Sequence, residues 1–319
     1  MTQTTIKIIE VLKKHEWISG EQLAKDLHIS RTAIWKHINQ LKKKGYQITA
    51  KPNLGYHLIK PPENLTIEEI KHQLKTEIIG KNIYHLPSVS STNDYAKKLA
   101  KENQPDGTLV IADQQTGGRG RKQRTWFSPK KGLWFSLILR PKLAPNEAMQ
   151  ATMCAACAVT EGIMKQTQLH PTIKWPNDIL INNKKVCGIL TELAAEIDEI
   201  TYLIVGIGIN VNNALQEELK KISTTLQIEN KKSVDSIRLL SDILFSFEKL
   251  YTELTKGNST PIRQRWMKYS STIGSKVTIQ TEKEMVTGTA IGIGEHGELI
   301  VKTKQGKKNI ITGDISYLE

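Results

Sequence analysis

The chain has 319 residues, a net charge of +13 and 39% hydrophobic residues. That length suits two or three domains with an ordinary core, and the basic balance, strongest per residue in the first sixty-odd positions, favours an anionic partner. Three cysteines, Cys154, Cys157 and Cys187, are too few for a disulfide framework. The N-terminal stretch MTQTTIKIIEVLKKHE has no apolar leader, and no apolar run approaches the roughly 20 residues of a membrane span. The expectation is a reducing, cytoplasmic compartment with no membrane partner.

In chain order, Ile8, Ile9, Val11 and Leu12 mark one face of a first helix. Ser19 is placed to cap a second, with Gln22 as its capping-box partner. Ser30 is placed to cap a third, running about 31–44, with Ala33, Ile34, Ile38 and Leu41 inward and Gly45 as its stop. YQITA and GYHLI around Pro52-Asn53-Leu54-Gly55 read as a β-hairpin. Three helices and a wing form the winged helix-turn-helix pattern, whose third helix enters the major groove of double-stranded DNA. Ser30, Arg31, Thr32, Trp35, Lys36, His37, Asn39 and Gln40 are then the DNA-binding candidates, by types that read base edges or hold phosphates. A small helical module for protein contacts is the alternative.

Lys60-Pro61-Pro62 reads as a linker, followed by a connecting helix at about 66–76 and a strand near Ile83–Leu86. Ser90-Ser91-Thr92-Asn93-Asp94 precedes the helical stretch YAKKLAKE. Its hydroxyls and amide either cap that helix or converge on a small polar ligand. A strand at 107–112 then delivers the most distinctive segment, Gln114-Gln115-Thr116-Gly117-Gly118-Arg119-Gly120-Arg121-Lys122-Gln123-Arg124-Thr125-Trp126. Glycines let a ligand approach the main chain and arginines offer planar, permanent charge for phosphate or carboxylate. A mobile lid over an anion is one reading; a solvated linker or a nucleic-acid arm are others.

A strand at 133–139 leaves the loop, and 147–165 is an Ala-rich helix. Its Cys154-Ala155-Ala156-Cys157 has no second Cys pair or His cluster nearby, so these are core residues and no metal site is expected among the side chains. Ile173-Lys174-Trp175-Pro176-Asn177-Asp178 gathers an amine, an amide and a carboxylate at a strand end. A hairpin with an Asn182-Asn183 turn follows, then strands at 186–193 and 202–207, the latter opening Gly206-Ile207-Gly208-Ile209-Asn210. A long helix spans 234–256. The chain after Trp266 is β-rich, a small barrel of about 50 residues. Gly292-Ile293-Gly294-Glu295-His296-Gly297 matches G-x-G-x-x-G in letters but has no helix after it, so it is a turn.

S-S-T-N before a helix, the Gly/Arg loop with a following Trp, K-W-P-N-D, K-x-x-G-I-L and G-I-G-I-N, in that order, resemble the biotin–protein ligase family, in the form that also represses biotin-synthesis genes. The resemblance covers nearly the whole chain. It implies an α+β protein of three parts: a winged helix-turn-helix at 1–65, a mixed-sheet ligase domain of class II synthetase type at 66–269, and an SH3-like β-barrel at 270–319. It also implies biotin and ATP with Mg²⁺, a biotin-accepting carrier domain, operator DNA, and a homodimer when the adenylate is bound. By resemblance, Ser91, Thr92 and Asn93 hold the ureido ring. Gln115, Arg119, Gly120 and Arg121 wrap carboxylate and phosphate. Arg124, Trp126, Asn177 and Asn210 belong to the nucleotide. Lys185 contacts the activated carboxyl, and Lys174 and Asp178 join Lys185 and Arg121 as the catalytic set. One departure stands out: Gln123 occupies a place where a common family form has glycine. A DNA-binding biotin sensor without ligase activity and a lipoate-type ligase are the competing functions.

Overall fold

The computed structural model describes residues 3–60 and 66–318; the expected Pro61-Pro62 linker lies outside the described residues. The chain divides into two compact units, ending and beginning at His72 and Gln73.

The first unit comprises α1 (Gln3–Lys14), α2 (Gly20–Leu27), α3 (Arg31–Lys43), β1 (Gln47–Lys51), β2 (Gly55–Lys60) and α4 (Ile67–Gln73). Its core is the apolar stripe of each helix, with Ile8, Leu12, Leu23, Ile34, Ile38 and Leu41 all buried. Ser19 Oγ accepts from Gln22 N and Ser30 Oγ from Ala33 N, satisfying donors that a helix start leaves open. The capping box at Ser19 is only half formed, because the Gln22 side chain donates to Asp26, one turn on, instead of reaching back. Gly45 takes φ 91°, the left-handed stop expected of it. β1 and β2 pair antiparallel as the wing. α4 is shorter than the connecting helix expected at 66–76, and packs here through charge: Lys13 meets Glu69 at 2.5 Å, Lys44 meets Glu68 at 3.1 Å, and Tyr46 Oη donates to Glu69 at 2.8 Å.

The second unit is built on a seven-stranded mixed sheet. Its strands are β3 (Ile83–Leu86), β4 (Thr108–Ala112), β5 (Leu133–Leu139), β6 (Thr172–Lys174), β7 (Asp178–Ile181), β8 (Lys184–Ala195) and β9 (Ile200–Ile209), in spatial order β3-β4-β5-β9-β8-β7-β6. Only β3–β4 is parallel. Helix α5 (Thr92–Lys101) covers one face, where Ala96, Leu99 and Ala100 bury against Val110, Ile138 and Ile204. Helix α6 (Ala148–Gln166) covers the other. Successive strand residues face opposite sides. On β8, Thr191 meets Thr152 of α6 at 2.7 Å, while Leu190 and Glu192 turn to Asn93 of α5. Helices α8 (Ser236–Thr255) and α9 (Thr260–Tyr269) complete the α6 side, while the short α7 (Leu226–Asn230) is tied to the end of β9 and to the Asn182 turn; α7 and α9 had no sequence expectation. Asp235 caps α8 through Ile237 N and Arg238 N.

The Asn182-Asn183 turn has φ of 50° and 62°, as a two-residue hairpin requires. Cys154, Cys157 and Cys187 are all buried, and burial pushes each thiol's pKa up, which makes them core residues. The C-terminal strands β10 (Lys276–Gln280), β11 (Met285–Ile293), β12 (Leu299–Thr303), β13 (Gly306–Ile310) and β14 (Asp314–Tyr317) form an antiparallel sheet in the order β13-β12-β11-β10-β14. The G-x-G-x-x-G stretch is the β11–β12 turn. It docks on α6 and on the K-W-P-N-D segment: Trp175 Nε1 donates to Gly297 O, and Gln150 Nε2 to Glu295 O.

Ile38→Ala removes three carbons' worth of packing from a buried site and should destabilise the first unit by about 2–5 kcal/mol. A fall in the urea midpoint of that unit's unfolding is the measurement.

Candidate active site

A cavity of about 630 Å³ opens on the α5 face of the large sheet, entirely within the second unit. Its floor is glycine. A Cβ at Gly206 would lie 2.0 Å from Asn93 Oδ1, and one at Gly208 would lie 2.4 Å from Trp126 Nε1. A Cβ at Gly188 would meet the Lys185 side chain at 3.2 Å. The G-I-G-I-N segment is therefore both a close-packed strand and a wall of the cavity. Six cations line the space, Arg119, Arg121, Arg124, Lys174, Lys185 and Lys221, against two carboxylates, Asp178 and Asp314. Such a wall suits a ligand carrying more than one negative charge.

The first polar corner is the start of α5. Ser91 Oγ accepts from Asp94 N, so it is a helix cap, yet Ser91, Thr92 and Asn93 also line the cavity. The cap reading of S-S-T-N holds, and the same residues face the cavity. Thr92 N and Oγ1 both approach Gln115 Oε1, at 2.8 and 3.1 Å. Gln115 Nε2 donates to Ser128 Oγ, and Ser128 Oγ donates to Trp126 O. This ties the root of the Gly/Arg loop to the α5 corner.

The loop is not a free lid. Arg119 forms a forked pair with Asp94, 2.8 and 2.5 Å. Arg121 donates to Gly313 O at 3.2 Å, to Thr312 Oγ1 at 2.7 Å and to Asn177 Oδ1 at 3.4 Å. Lys122 and Arg124 both reach Asp314, at 3.1 and 2.5 Å. The expectation of a loosely held loop overlooked Asp94 and Asn177 and the entry to the last strand, Thr312, Gly313 and Asp314, which supply these partners. Gln123 has φ 59° and Lys122 φ 54°, left-handed conformations that cost a non-glycine residue roughly 1–2 kcal/mol. Gln123 thus sits where the backbone would favour the glycine of the common form.

The third wall comes from K-W-P-N-D and the hairpin after it. Lys185 Nζ lies 2.6 Å from Asp178 Oδ1 and 5.0 Å from the Trp126 ring centroid. Lys174 Nζ lies over the Tyr317 ring at 5.1 Å. Asn177 Nδ2 donates to Ile189 O at 2.7 Å, leaving Oδ1 toward Arg121. Asn210 is buried, and its Oδ1 accepts from Asn213. Trp126 Nε1 is buried without a hydrogen-bond partner. All fourteen ligase-site residues named from the sequence line this one cavity. The sequence reading missed Asp94, Ser128, Ser136, Glu192, Thr312, Asp314 and Tyr317, which hold them. Asp94 was visible beside S-S-T-N, but nothing local announces the others.

Burial pushes the Arg121 guanidinium below its usual pKa, against the pull of Asp314 and Asp178. Hydrogen bonding to Arg119 is the main reason Asp94 is held below the ordinary carboxylate range, with burial opposing. At Asp314 burial raises the pKa, but the bonds and charges of Lys122 and Arg124 outweigh it and the net shift is downward. Among the described residues no group of three or more His, Cys, Asp or Glu side chains gathers to hold a metal alone. Mg²⁺ bound to nucleotide phosphates needs only one or two protein carboxylates, and Asp178 and Asp314 fit that demand.

In the first unit, Arg31, Thr32, Trp35, Lys36 and Gln40 are exposed along α3, with Trp35 58% accessible. Asn39 is half-buried. Ser30 is engaged as the helix cap, and His37 Nδ1 is bonded to Thr5 Oγ1 at 2.9 Å, so both are also part of the scaffold.

A sheet-floored, cation-lined cavity behind a Gly/Arg loop in one unit, and a helix-turn-helix in the other unit of the same chain, define an anion-activating ligase with a DNA-binding module. The matches to known families agree: residues 85–210 match the Biotin/lipoate A/B protein ligase family, 4–57 an HTH domain, and 272–318 the Biotin protein ligase C terminal domain. The chain belongs to the biotin–protein ligase family, in its bifunctional ligase/repressor branch. It is 44% identical over 305 residues to the Bifunctional ligase/repressor BirA of Bacillus subtilis, covering 94% of each chain. It is 30% identical over 314 residues to that of Escherichia coli, covering 98% of this chain and 96% of the other. The structure of biotin protein ligase from Aquifex aeolicus in complex with biotin and ATP is similar at a TM-score of 0.65 and 32% identity, over 75% of this chain and 99% of that one.

A carboxylate with a depressed folded pKa stabilises the fold above its unfolded pKa and loses that contribution as pH falls through the folded one. The Asp94–Arg119 pair should therefore hold at neutral pH and release only below the ordinary carboxylate range, about 4. Urea unfolding of wild type and Asp94→Asn should differ at pH 7 and converge only as the pH is lowered below that range.

Proposed function

We propose that the chain activates biotin with ATP to biotinyl-5′-AMP, transfers biotin to a lysine of a carrier domain such as that of acetyl-CoA carboxylase, and represses biotin-synthesis genes with the adenylate as co-repressor. The observation that carries the ligase reading is the convergence of all fourteen ligase-site positions on one cationic cavity. We read 1–65 as the DNA-binding part, 66–269 as the ligase and 270–319 as the C-terminal part, working in the cytoplasm.

In this account Ser91, Thr92 and Asn93 hold the cyclic urea over the glycine floor. Gln115, Arg119, Gly120 and Arg121 enclose the carboxylate. A biotin carboxylate oxygen attacks the α-phosphorus of ATP, and pyrophosphate departs with the electron pair of the broken P–O bond. Two anions must meet at that step. Lys185 and Arg121 offset their repulsion and the charge growing on the phosphoryl oxygens, as fixed donors in a partly dry site can. Arg124, Trp126, Asn177 and Asn210 serve the nucleotide. Mg²⁺, carried on the phosphates, would neutralise their charge, with Asp178 as its protein ligand. A neutral lysine Nζ of the carrier then attacks the acyl carbon and AMP leaves; we assign Lys174 and Asp178, both on the cavity wall, to that amine. Closing the loop keeps water from the mixed anhydride, and opening admits the carrier.

The exposed residues of α3 are the reading surface for operator DNA. If the adenylate orders surface loops that favour a homodimer, two α3 helices meet two half-sites together, and linkage makes operator affinity rise with biotin plus ATP.

With ATP and a biotin carrier domain, labelled biotin should be transferred and labelled lipoate should not. Lys185→Ala should lower the rate at least about a hundredfold. Label on lipoate alone would favour the lipoate-ligase reading, and operator binding without any transfer would favour a sensor. Arg121→Gly should speed release of the adenylate, seen as biotin on unrelated lysines, with the unfolding midpoint little changed.

A further inference from the structure

Behind the α5 corner lies a chain of hydrogen bonds that the ligase roles above leave unused. Lys97 Nζ meets Glu192 Oε1 at 2.5 Å. Glu192 Oε2 accepts from Asn93 Nδ2 at 2.7 Å. Asn93 Oδ1 lies 2.7 Å from Ser136 Oγ, and Ser136 Oγ lies 2.8 Å from Thr92 Oγ1. Glu192 and Ser136 are not part of the cavity wall, whereas Asn93 and Thr92 are.

Donor counting fixes the direction of this chain. An ionised carboxylate only accepts, so the Asn93 amide must give its NH₂ to Glu192 and turn its oxygen toward Ser136. Asn93 Oδ1 cannot donate, so the single hydroxyl proton of Ser136 goes to it. The single Thr92 hydroxyl proton then faces two acceptors, Ser136 Oγ at 2.8 Å and Gln115 Oε1 at 3.1 Å, and is spent on them. What remains for a ligand at Asn93 and Thr92 is lone pairs. The room for the amide is made by Gly206, since any side chain there would collide with Asn93 Oδ1. Ser136 is fully buried, so no solvent competes for its proton.

We propose that Glu192, held by Lys97 and acting through Asn93 and Ser136, is a positioning residue that sets this corner as an acceptor surface for the two N–H groups of a cyclic urea. The inference rests on the reading of the cavity as a biotin site and adds the residues that select the urea. A ligand acid without ring N–H groups gains nothing from the relay and leaves its lone pairs unpaired, which costs affinity.

The test uses the full chain with Glu192→Ala, Glu192→Gln and Ser136→Ala. It measures KM for biotin and for ATP, and inhibition by tetrahydrothiophene pentanoate, the biotin skeleton without its urea. Glu192→Ala and Ser136→Ala should raise the biotin KM at least about tenfold. KM for ATP, kcat at saturating biotin and the inhibition constant of the urea-free acid should stay within about twofold. Glu192→Gln keeps an acceptor but no longer dictates which end of the facing amide points inward, so its effect should be intermediate, and it guards against misfolding of the alanine variant. Equal weakening of both acids, or an unchanged biotin KM in all three variants, overturns the relay alone. A wild-type chain that neither binds nor transfers biotin overturns the functional reading and the relay with it.

Discussion

Arg121 holds the second unit's working parts in one place. Its guanidinium joins the Gly/Arg loop to Asn177 of K-W-P-N-D and to Thr312 and Gly313 just before the last strand. These three segments are far apart in sequence, and each supplies a wall of the cavity. A planar group with five donors can serve three acceptors at once, which a lysine could not do with the same geometry. The cost is desolvation, seen in the lowered pKa of Arg121 and offset by Asp314 and Asp178. Because its partners are a backbone carbonyl, a hydroxyl and an amide, Arg121 keeps its charge uncancelled by any direct ion pair and available to an anion.

The neighbouring cations are arranged differently. Arg119 is spent on Asp94, Lys122 and Arg124 on Asp314, and Lys185 on Asp178. Each of these carboxylates can be displaced by a better anion, since the pairs are partly exposed and therefore weak in net terms. These pairs hold the charged loop in an ordered position without burying it fully. The sheet beneath makes the complementary contribution. Glycines at 188, 206 and 208 leave its α5 face open, while the α6 face is closed by large apolar packing. One sheet can be both core and ligand floor because its residues alternate sides.

Much of this was legible in the sequence because the signals were local. Ser30, Ile34, Ile38 and Gly45 declare α3 by cap, stripe and stop. Asn182-Asn183 declares its hairpin. The fourteen cavity residues sit in five short motifs whose chemistry suits two anions. The partners that fix them were not legible. Asp314 lies about 190 residues from Lys122, and Glu192 about a hundred from Asn93, and neither stands in a periodic or composite pattern. Gln22 failed as a capping-box partner because its side-chain amide turns forward to donate to Asp26, one turn on, a contact that a four-residue motif does not reveal. α9 carries a helix's residues but only a weakly patterned face, so Trp266 alone did not announce it.

The central claim is that one cavity holds the acid and the nucleotide together and joins them before any carrier arrives. The direct measurement is exchange of labelled pyrophosphate into ATP by the purified chain without carrier protein or DNA. Exchange that requires biotin and saturates with it is the predicted result. Exchange without biotin, or none with biotin and Mg-ATP present, would contradict the account.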